Sequence, residues 1–116
     1  MEITGLLEFG SRSEWRSWLQ NHHATESSCW LAIYRSKQPP RGVCLQYVDA
    51  VEEALCFGWI DSTLKSLHDG RLAQRFSPRR KNSHWTELNL QRCRDLEKQG
   101  LMTEAGREAC TMLHGS

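Results

Sequence analysis

The stretch "WIDSTLKSLHDGRLAQRF", residues 59–76, decides the fold, because apolar and polar residues alternate on both sides of a central "HDG". That pattern is typical of a β-hairpin with one buried face. A three-residue loop at residues 68–70, with Gly70 in the left-handed conformation, gathers the large apolar side chains on one face, whereas a two-residue loop scatters them. These side chains are Ile60, Leu64, Leu72 and Phe76. We therefore predict the longer loop.

The opposite face of this hairpin is predicted to be polar and basic. It carries Trp59, Asp61, Thr63 and Lys65 from the first strand, and Ala73, Arg75, Ser77 and Arg79 from the second. In this register Thr63 faces Arg75, and Asp61 is a diagonal neighbour of the same arginine. A planar guanidinium suits a carboxylate, so we expect Asp61 to pair with Arg75 or Arg79 and to hold the hairpin together.

Helical patterns flank the hairpin on both sides. The preceding helix, near residues 46–57, is expected to end at Gly58 and to point Glu53 outward. The helix after the hairpin is expected to point Leu88 inward, and Gly106 is a weakness of the last helix. The N-caps predicted for the other helices are Ser11 or Ser13, Ser83 and Thr103.

The stretch "CWLAIYR" predicts one more strand, near residues 28–36. Leu31 and Ile33 lie on one of its faces, and Trp30, Ala32 and Tyr34 on the other. The order of elements is then helix, strand, helix, hairpin, helix, helix. It predicts a single α+β domain over residues 1–116, in which a small, mainly antiparallel sheet packs with about four helices. That sheet consists of the strand near 28–36 plus the hairpin near 59–77.

Composition and charge exclude several classes of protein. The chain has 116 residues, of which 39% are hydrophobic and 25% charged, and its net charge of +1 is no global signature of nucleic-acid or membrane binding. No apolar run reaches the roughly 18 residues of a membrane span, and the N-terminus does not resemble a secretory signal, so we expect a cytoplasmic protein. The five cysteines lack a CxxC spacing. We therefore expect free, mostly buried thiols, no metal and no cofactor.

Several motifs, taken in order, resemble one known family. They are "EALCFGWIDS" at residues 53–62, "QRFSPRRKNSHW" at residues 74–85, "LNLQR" at residues 88–92 and "GLMTEAG" at residues 100–106. They resemble the bacteriocin-protection, YdeI or OmpD-associated (OmdA-like) family. Thr86 stands where a serine is common in that family, and many relatives carry a further helical segment after Gly106. The resemblance implies a stress or protection role and no established reaction.

The strongest local anion site in the sequence is "PRRKNS", residues 78–83. Arg79, Arg80 and Lys81 precede a helix whose free N–H groups are expected to begin near Ser83. Three cations then lie beside the positive end of a helix dipole. This arrangement predicts a site for a phosphate-bearing ligand or a nucleic acid.

A stacking platform is the second part of the predicted site. Trp30 and Trp59 are expected to offer flat surfaces near Arg75, with Asp61 orienting the arginine. Asn89 is predicted as a further ligand contact, although such an amide more often satisfies backbone groups. The predicted function is non-catalytic binding of an anionic or planar ligand. The competing interpretation is structural, with the indoles in the core and Asp61 paired to an arginine.

Two other functions stay open. An enzyme of unknown reaction would use Cys56 or His84, although no GxSxG or HExxH motif occurs. Cys56 also lies near a helix C-terminus, where the dipole disfavours a thiolate. A protein-interaction module would use an exposed tryptophan as the anchor for a protein partner, and the chain has five tryptophans.

Overall fold

The computed structural model of the protein describes residues 2–79 and 86–114, and their side chains over residues 2–79 and 86–110. The described elements are helix α1 (Arg12–His22), strand β1 (Cys29–Tyr34), strand β2 (Leu45–Gln46), helix α2 (Tyr47–Leu55), strand β3 (Trp59–Ser66), strand β4 (Leu72–Pro78), helix α3 (Glu87–Lys98) and helix α4 (Glu104–His114). This order confirms the predicted α+β class. In the same ranges, no helix combines the length and hydropathy that a bilayer crossing requires.

The strands form a four-stranded sheet in the order β2–β1–β4–β3. Strands β3 and β4 form the predicted hairpin, and β1 pairs antiparallel with β4. The short β2 is parallel to β1 and was not predicted. Two residues directly before a helix are too few to show the alternation that marks a strand.

Short-range signals fix several helix ends. The Ser11 side chain caps α1 by accepting the N–H of Glu14, and Gly58 follows α2 with a φ of +77°. The Thr103 hydroxyl accepts the N–H of Gly106 in the first turn of α4. These predicted ends are confirmed. Helix α3 has Thr86 as its N-cap, rather than the predicted Ser83, which lies outside the described residues.

The loop of the hairpin has the predicted length. Ser66 pairs with Leu72, and the N–H of Leu67 donates to the carbonyl of Arg71 at 2.9 Å. The loop therefore covers residues 68–70. Gly70 has a φ of +90°, a backbone conformation that side-chain-bearing residues rarely adopt.

A β-bulge in β3 overturns the predicted faces at the far end of the hairpin. The register shifts between Asp61 and Leu64, so that Asp61 pairs with Phe76. Compared with an even ladder, the extra residue moves the side chains on the far side of the bulge from the hairpin loop to the other face of the sheet. Trp59 and Asp61 consequently lie on the face of Phe76, and the prediction that they share a face with Arg75 is wrong. Ile60, predicted to lie beside Phe76, pairs instead with Ser77 on the Arg75 face.

The buried side chain of Gln74 stabilises this bulge. Its Nε2 lies 3.2 Å from the carbonyl oxygen of Ser62, 3.1 Å from that of Thr63 and 3.3 Å from that of Arg75. A bulge interrupts the ladder of backbone hydrogen bonds and leaves carbonyls in need of donors. The side-chain amide of Gln74, on the neighbouring strand β4, supplies these donors.

Replacing Gln74 by leucine is expected to lower the free energy of unfolding by about 1.5 kcal/mol, because buried carbonyls lose their donor. Chemical denaturation measures the change. The matched control is Gln91→Leu on the exposed side of α3, for which we expect a change within about 0.5 kcal/mol. Equal effects of the two substitutions would contradict the role of Gln74.

The core lies between the helices and the sheet face that carries Phe76. The ring of Trp15 from α1 lies 5.3 Å from that of Phe76, and its Nε1 donates to the carbonyl of Ala50 at 3.0 Å. The sheet contributes Cys29, Leu31, Ile33 and Phe76 to this core, and the helices contribute Trp15, Leu19, Val51, Leu55 and Leu96. Leu88, predicted to point inward, is 59% exposed.

Glu53 is also placed differently from the prediction, since it is 4% exposed. Its carboxylate accepts hydrogen bonds from Nε of Arg12 at 2.9 Å and from Nη1 of Arg16 at 3.0 Å. Arg16 further donates to the carbonyl of Leu101 at 2.7 Å. Glu53 therefore joins α1 to α2, and Arg16 extends the connection to the segment before α4.

Helix α4 begins in direct contact with the end of α2. The N–H of Thr103 donates to the carbonyl oxygen of Cys56 at 3.0 Å, and the Thr103 hydroxyl donates to the same oxygen. A Cβ at Gly106 would overlap that oxygen and the Sδ of Met102. Gly106 thus allows the close approach of α4, and its low helix propensity is the cost of that contact.

Candidate functional site

A groove between α3 and α4 encloses a cavity of about 570 Å³, which is within the range of small-molecule sites. Its lining has two parts. Partly or fully buried side chains form an apolar floor, and exposed charged side chains form a rim. The floor consists of Leu90, Cys93, Met102 and Cys110, and the rim of Arg94, Glu97, Lys98 and Arg107.

Helical spacing brings these side chains to one side of each helix. On α3, each groove residue lies three or four positions from another one, a spacing that places side chains on the same side of a helix. These residues are Leu90, Cys93, Arg94, Glu97 and Lys98. On α4, a step of three residues separates the two groove residues, Arg107 and Cys110. The sequence contains both sets, but no local pattern reveals that the two helices face each other.

The rim carries an excess of positive charge. Nε of Arg107 donates to the carboxylate of Glu97 at 2.7 Å, an ion pair that connects the two helices. Arg94 donates from Nη2 to the side chain of Gln91 at 2.9 Å, and Lys98 is exposed. Among the described rim residues, three cations against one carboxylate favour an anionic group at the mouth of the groove.

The indoles of the predicted platform are both buried. Trp59 is 1% exposed and meets the ring of Trp18 edge-on, with centroids 5.8 Å apart. Trp30 pairs directly with Arg75 across the β1–β4 ladder, so these two share a face as predicted, but Trp30 is 4% exposed. Neither ring has a face open to a ligand, and the platform of Trp59 beside Arg75 is not formed.

Asp61 is held by a tyrosine. The hydroxyl of Tyr47, the first residue of α2, donates to Oδ2 of Asp61 at 2.8 Å, and the guanidinium of Arg35 lies 3.8 Å from the centre of the Tyr47 ring. Burial and the carboxylate of Asp61 raise the pKa of Tyr47. The predicted partner Arg75 lies on the opposite face of the sheet. Asp61 thus connects β3 to α2.

Of the predicted basic loop, Arg79 lies within the described residues. Its backbone N–H donates to the carbonyl of Gly58 at 2.9 Å. After the interaction with Cys93, the positive charge of Arg79 is a further cause that lowers the pKa of Cys110. Arg79 is therefore near Cys110, but it does not belong to the described lining of the groove. Arg80, Lys81 and Ser83 lie outside the described residues, and their role stays a prediction.

Asn89 has a structural partner. It is largely buried, and its Oδ1 accepts a hydrogen bond from Nη1 of Arg92 at 3.0 Å. The partner is an arginine side chain rather than the backbone group that the sequence favoured, so the observed contact of Asn89 is structural but of a different kind.

The nucleophile considered for an enzyme is inaccessible. Cys56 is fully buried, and burial raises its pKa to about 11, so the thiol is protonated at neutral pH. The other candidate, His84, lies outside the described residues. Within the described part of the chain, no group of three or more histidine, cysteine or acidic residues is arranged to hold a metal ion.

Comparison with known proteins gives a family without a function. Residues 7–109 match the model of a family described as a domain of unknown function, DUF8412. Neither the curated proteins nor the solved structures that were compared gave a match. Since the family model covers most of the chain, the protein belongs to the DUF8412 family.

Proposed function

We propose that the protein acts by non-catalytic binding, and that the groove between α3 and α4 takes a small ligand with an apolar or planar body and an anionic group. The observation that carries this proposal is the apolar floor beneath a basic rim. The floor matches the body of such a ligand, and the cations match a carboxylate or phosphate.

The charge of the whole chain supports a small ligand over a nucleic acid. A net charge of +1 gives little long-range attraction for a polyanion, whose binding depends on many phosphate contacts. The enzyme alternative loses support because Cys56 is buried. The tryptophan-anchor alternative loses support among the described residues, because Trp15, Trp30 and Trp59 are buried. The fourth described tryptophan, Trp18, is half-buried, with its ring against those of Trp15 and Trp59.

For the cellular role, we propose the stress or bacteriocin-protection type of activity. The support is the resemblance of "EALCFGWIDS", residues 53–62, and the later motifs to the bacteriocin-protection, YdeI or OmpD-associated family. A binding protein without catalysis is compatible with such a role, since sequestering or sensing a small molecule needs no reaction.

The binding proposal is tested with two fluorescent probes of similar size. One is 8-anilinonaphthalene-1-sulfonate, which is planar and anionic, and the other is N-phenyl-1-naphthylamine, which is planar and uncharged. We expect the double variant Arg94→Ala Lys98→Ala to bind the sulfonate about tenfold more weakly, because two exposed ion contacts amount to about 1.4 kcal/mol. Binding of the uncharged probe should change less than twofold.

The matched control removes two cations from another exposed stretch, in the double variant Lys37→Ala Arg41→Ala. It should bind both probes like the parent protein. The proposal fails if the control weakens the sulfonate as much as the groove variant does, or if the groove variant leaves sulfonate binding unchanged.

A further inference from the structure

Two cysteines face each other on the floor of the groove. Cys93 comes from α3 and is buried, whereas Cys110 comes from α4 and is only partly buried. They lie close enough for each thiol to perturb the pKa of the other. Among the described cysteines, these two line the cavity.

The surroundings make the two thiols unequal. The interaction with Cys93, and then the positive charge of Arg79, lower the pKa of Cys110. The same pair interaction and burial raise the pKa of Cys93. Of the two thiols, Cys110 is therefore the one that ionises more readily, and Cys93 is its protonated neighbour. By contrast, burial raises the pKa of both Cys29 and Cys56, to about 12 and about 11.

We propose that Cys93 and Cys110 form a peroxide-reactive thiol pair, which a small hydroperoxide entering the groove oxidises to a disulfide. The geometry supports each part of this inference. The cavity admits the oxidant, Cys110 is the accessible sulfur that attacks, and Cys93 lies beside it as the resolving thiol. This modification site is independent of the ligand proposed for the same groove.

The reaction proceeds in two balanced steps. The Cys110 thiolate attacks the hydroxyl-bearing oxygen of the hydroperoxide, a sulfur–oxygen bond forms, the oxygen–oxygen bond breaks, and the leaving alkoxide or hydroxide takes up the proton that the Cys110 thiol released on ionising. The sulfur of Cys93 then attacks the sulfenic acid sulfur of Cys110. The sulfur–sulfur bond forms, and the hydroxyl leaves as water with the proton of Cys93. Two thiols thus supply two electrons, and the hydroperoxide is reduced to an alcohol, or to water, with release of one further water.

The disulfide would fasten α4 to α3 at the groove. In the reduced protein, the ion pair between Glu97 and Arg107 connects the same two helices nearby. A covalent bond holds two sulfurs at about 2.05 Å, so oxidation would lock the two helices to each other at this point.

The experiment treats the full-length, reduced protein with one equivalent of hydrogen peroxide, alkylates the remaining thiols, and analyses it by intact mass and peptide mapping. We expect three alkylated cysteines instead of five and a crosslinked peptide that joins Cys93 to Cys110. Cys110→Ser should abolish the crosslink. Cys93→Ser should leave a sulfenic acid at Cys110 that dimedone traps.

The control variant is Cys44→Ser, which removes a partly buried cysteine outside the groove and should form the crosslink like the parent protein. Peptide mapping of the oxidised wild-type protein requires no substitution, so it shows whether the Cys93–Cys110 disulfide forms even if a variant folds poorly. A crosslink between other cysteines, five alkylated thiols after treatment, or dimedone labelling of Cys44 as fast as that of Cys110 would each overturn the inference.

Discussion

Replacing Glu53 by alanine is expected to lower the free energy of unfolding by about 3 kcal/mol. Removing one partner of a buried ion pair typically costs about 3–5 kcal/mol, because the remaining charge is left without compensation. The lower end applies here, since Arg12 keeps Asp49 and Glu52 as partners. The side chains of Arg12 and Arg16 are also 37% and 28% exposed, so water replaces part of the lost interaction. Urea denaturation followed by circular dichroism measures the difference.

The matched control for Glu53 is Asp49→Ala, because Asp49 also pairs with Arg12, at 3.1 Å, yet its side chain is 41% exposed. An exposed pair of this kind is worth at most about 1 kcal/mol. A double-mutant cycle with Arg12→Ala separates the pair interaction from the loss of packing. If Asp49→Ala and Glu53→Ala destabilise the protein equally, burial of Glu53 does not decide the stability of this cluster.

The second large effect is expected at Gly106, where alanine should destabilise the protein by about 2 kcal/mol. In an isolated helix the same substitution is stabilising by about 1 kcal/mol. Here the added Cβ overlaps the backbone carbonyl of Cys56, which is rigid, and the Sδ of Met102. Overpacking of this kind costs about 1–3 kcal/mol or more, so the contact reverses the sign that helix propensity alone predicts.

Thermal and chemical unfolding of Gly106→Ala tests this sign directly. Glu108→Ala, at an exposed position of the same helix, serves as the control and should change the stability by no more than about 0.5 kcal/mol. An increase in stability for Gly106→Ala would mean that α4 does not lie against the end of α2 in solution.

The parts of the fold that the sequence predicted correctly depend on neighbours along the chain. The cap at Ser11, the left-handed glycines after α2 and in the hairpin loop, and the period of β1 all follow from a few adjacent residues. The alternation of "RLAQRF", residues 71–76, also placed Leu72 and Phe76 on one face. Features that depend on only a few adjacent residues can therefore be predicted from one sequence without knowing how the elements pack.

The bulge was missed because "WI" offers two adjacent apolar residues. Either Trp59 or Ile60 satisfies the hydrophobic pattern, so alternation alone does not choose between them. The choice is made by packing, since the edge of Trp59 fits against the ring of Trp18 in α1. The donor that the bulge needs, Gln74, lies on the partner strand.

Contacts between residues far apart in the chain explain the remaining differences. The sequence predicts an exposed Glu53, because nothing close to it in the chain indicates a partner; its two arginine partners are 37 and 41 positions away. Likewise, Cys93 and Cys110 belong to separate helices, and their meeting depends on how α4 docks against α2 and α3. Of the predicted cations, Arg79 lies near enough to Cys110 for its charge to act on that thiol, whereas Arg75 lies on the sheet face away from the core.

The bulge at Ser62 and Thr63 also gives β3 one place where its length can change. Removing one of these two residues would leave an even ladder in which Asp61 still lies opposite Phe76, so Trp59 would stay against the helices. Forcing all the residues of β3 into an even ladder would instead put Ile60 against the helices in place of Trp59. The extra residue therefore decides which surface of the strand end meets the helices, which no single replacement of a side chain achieves.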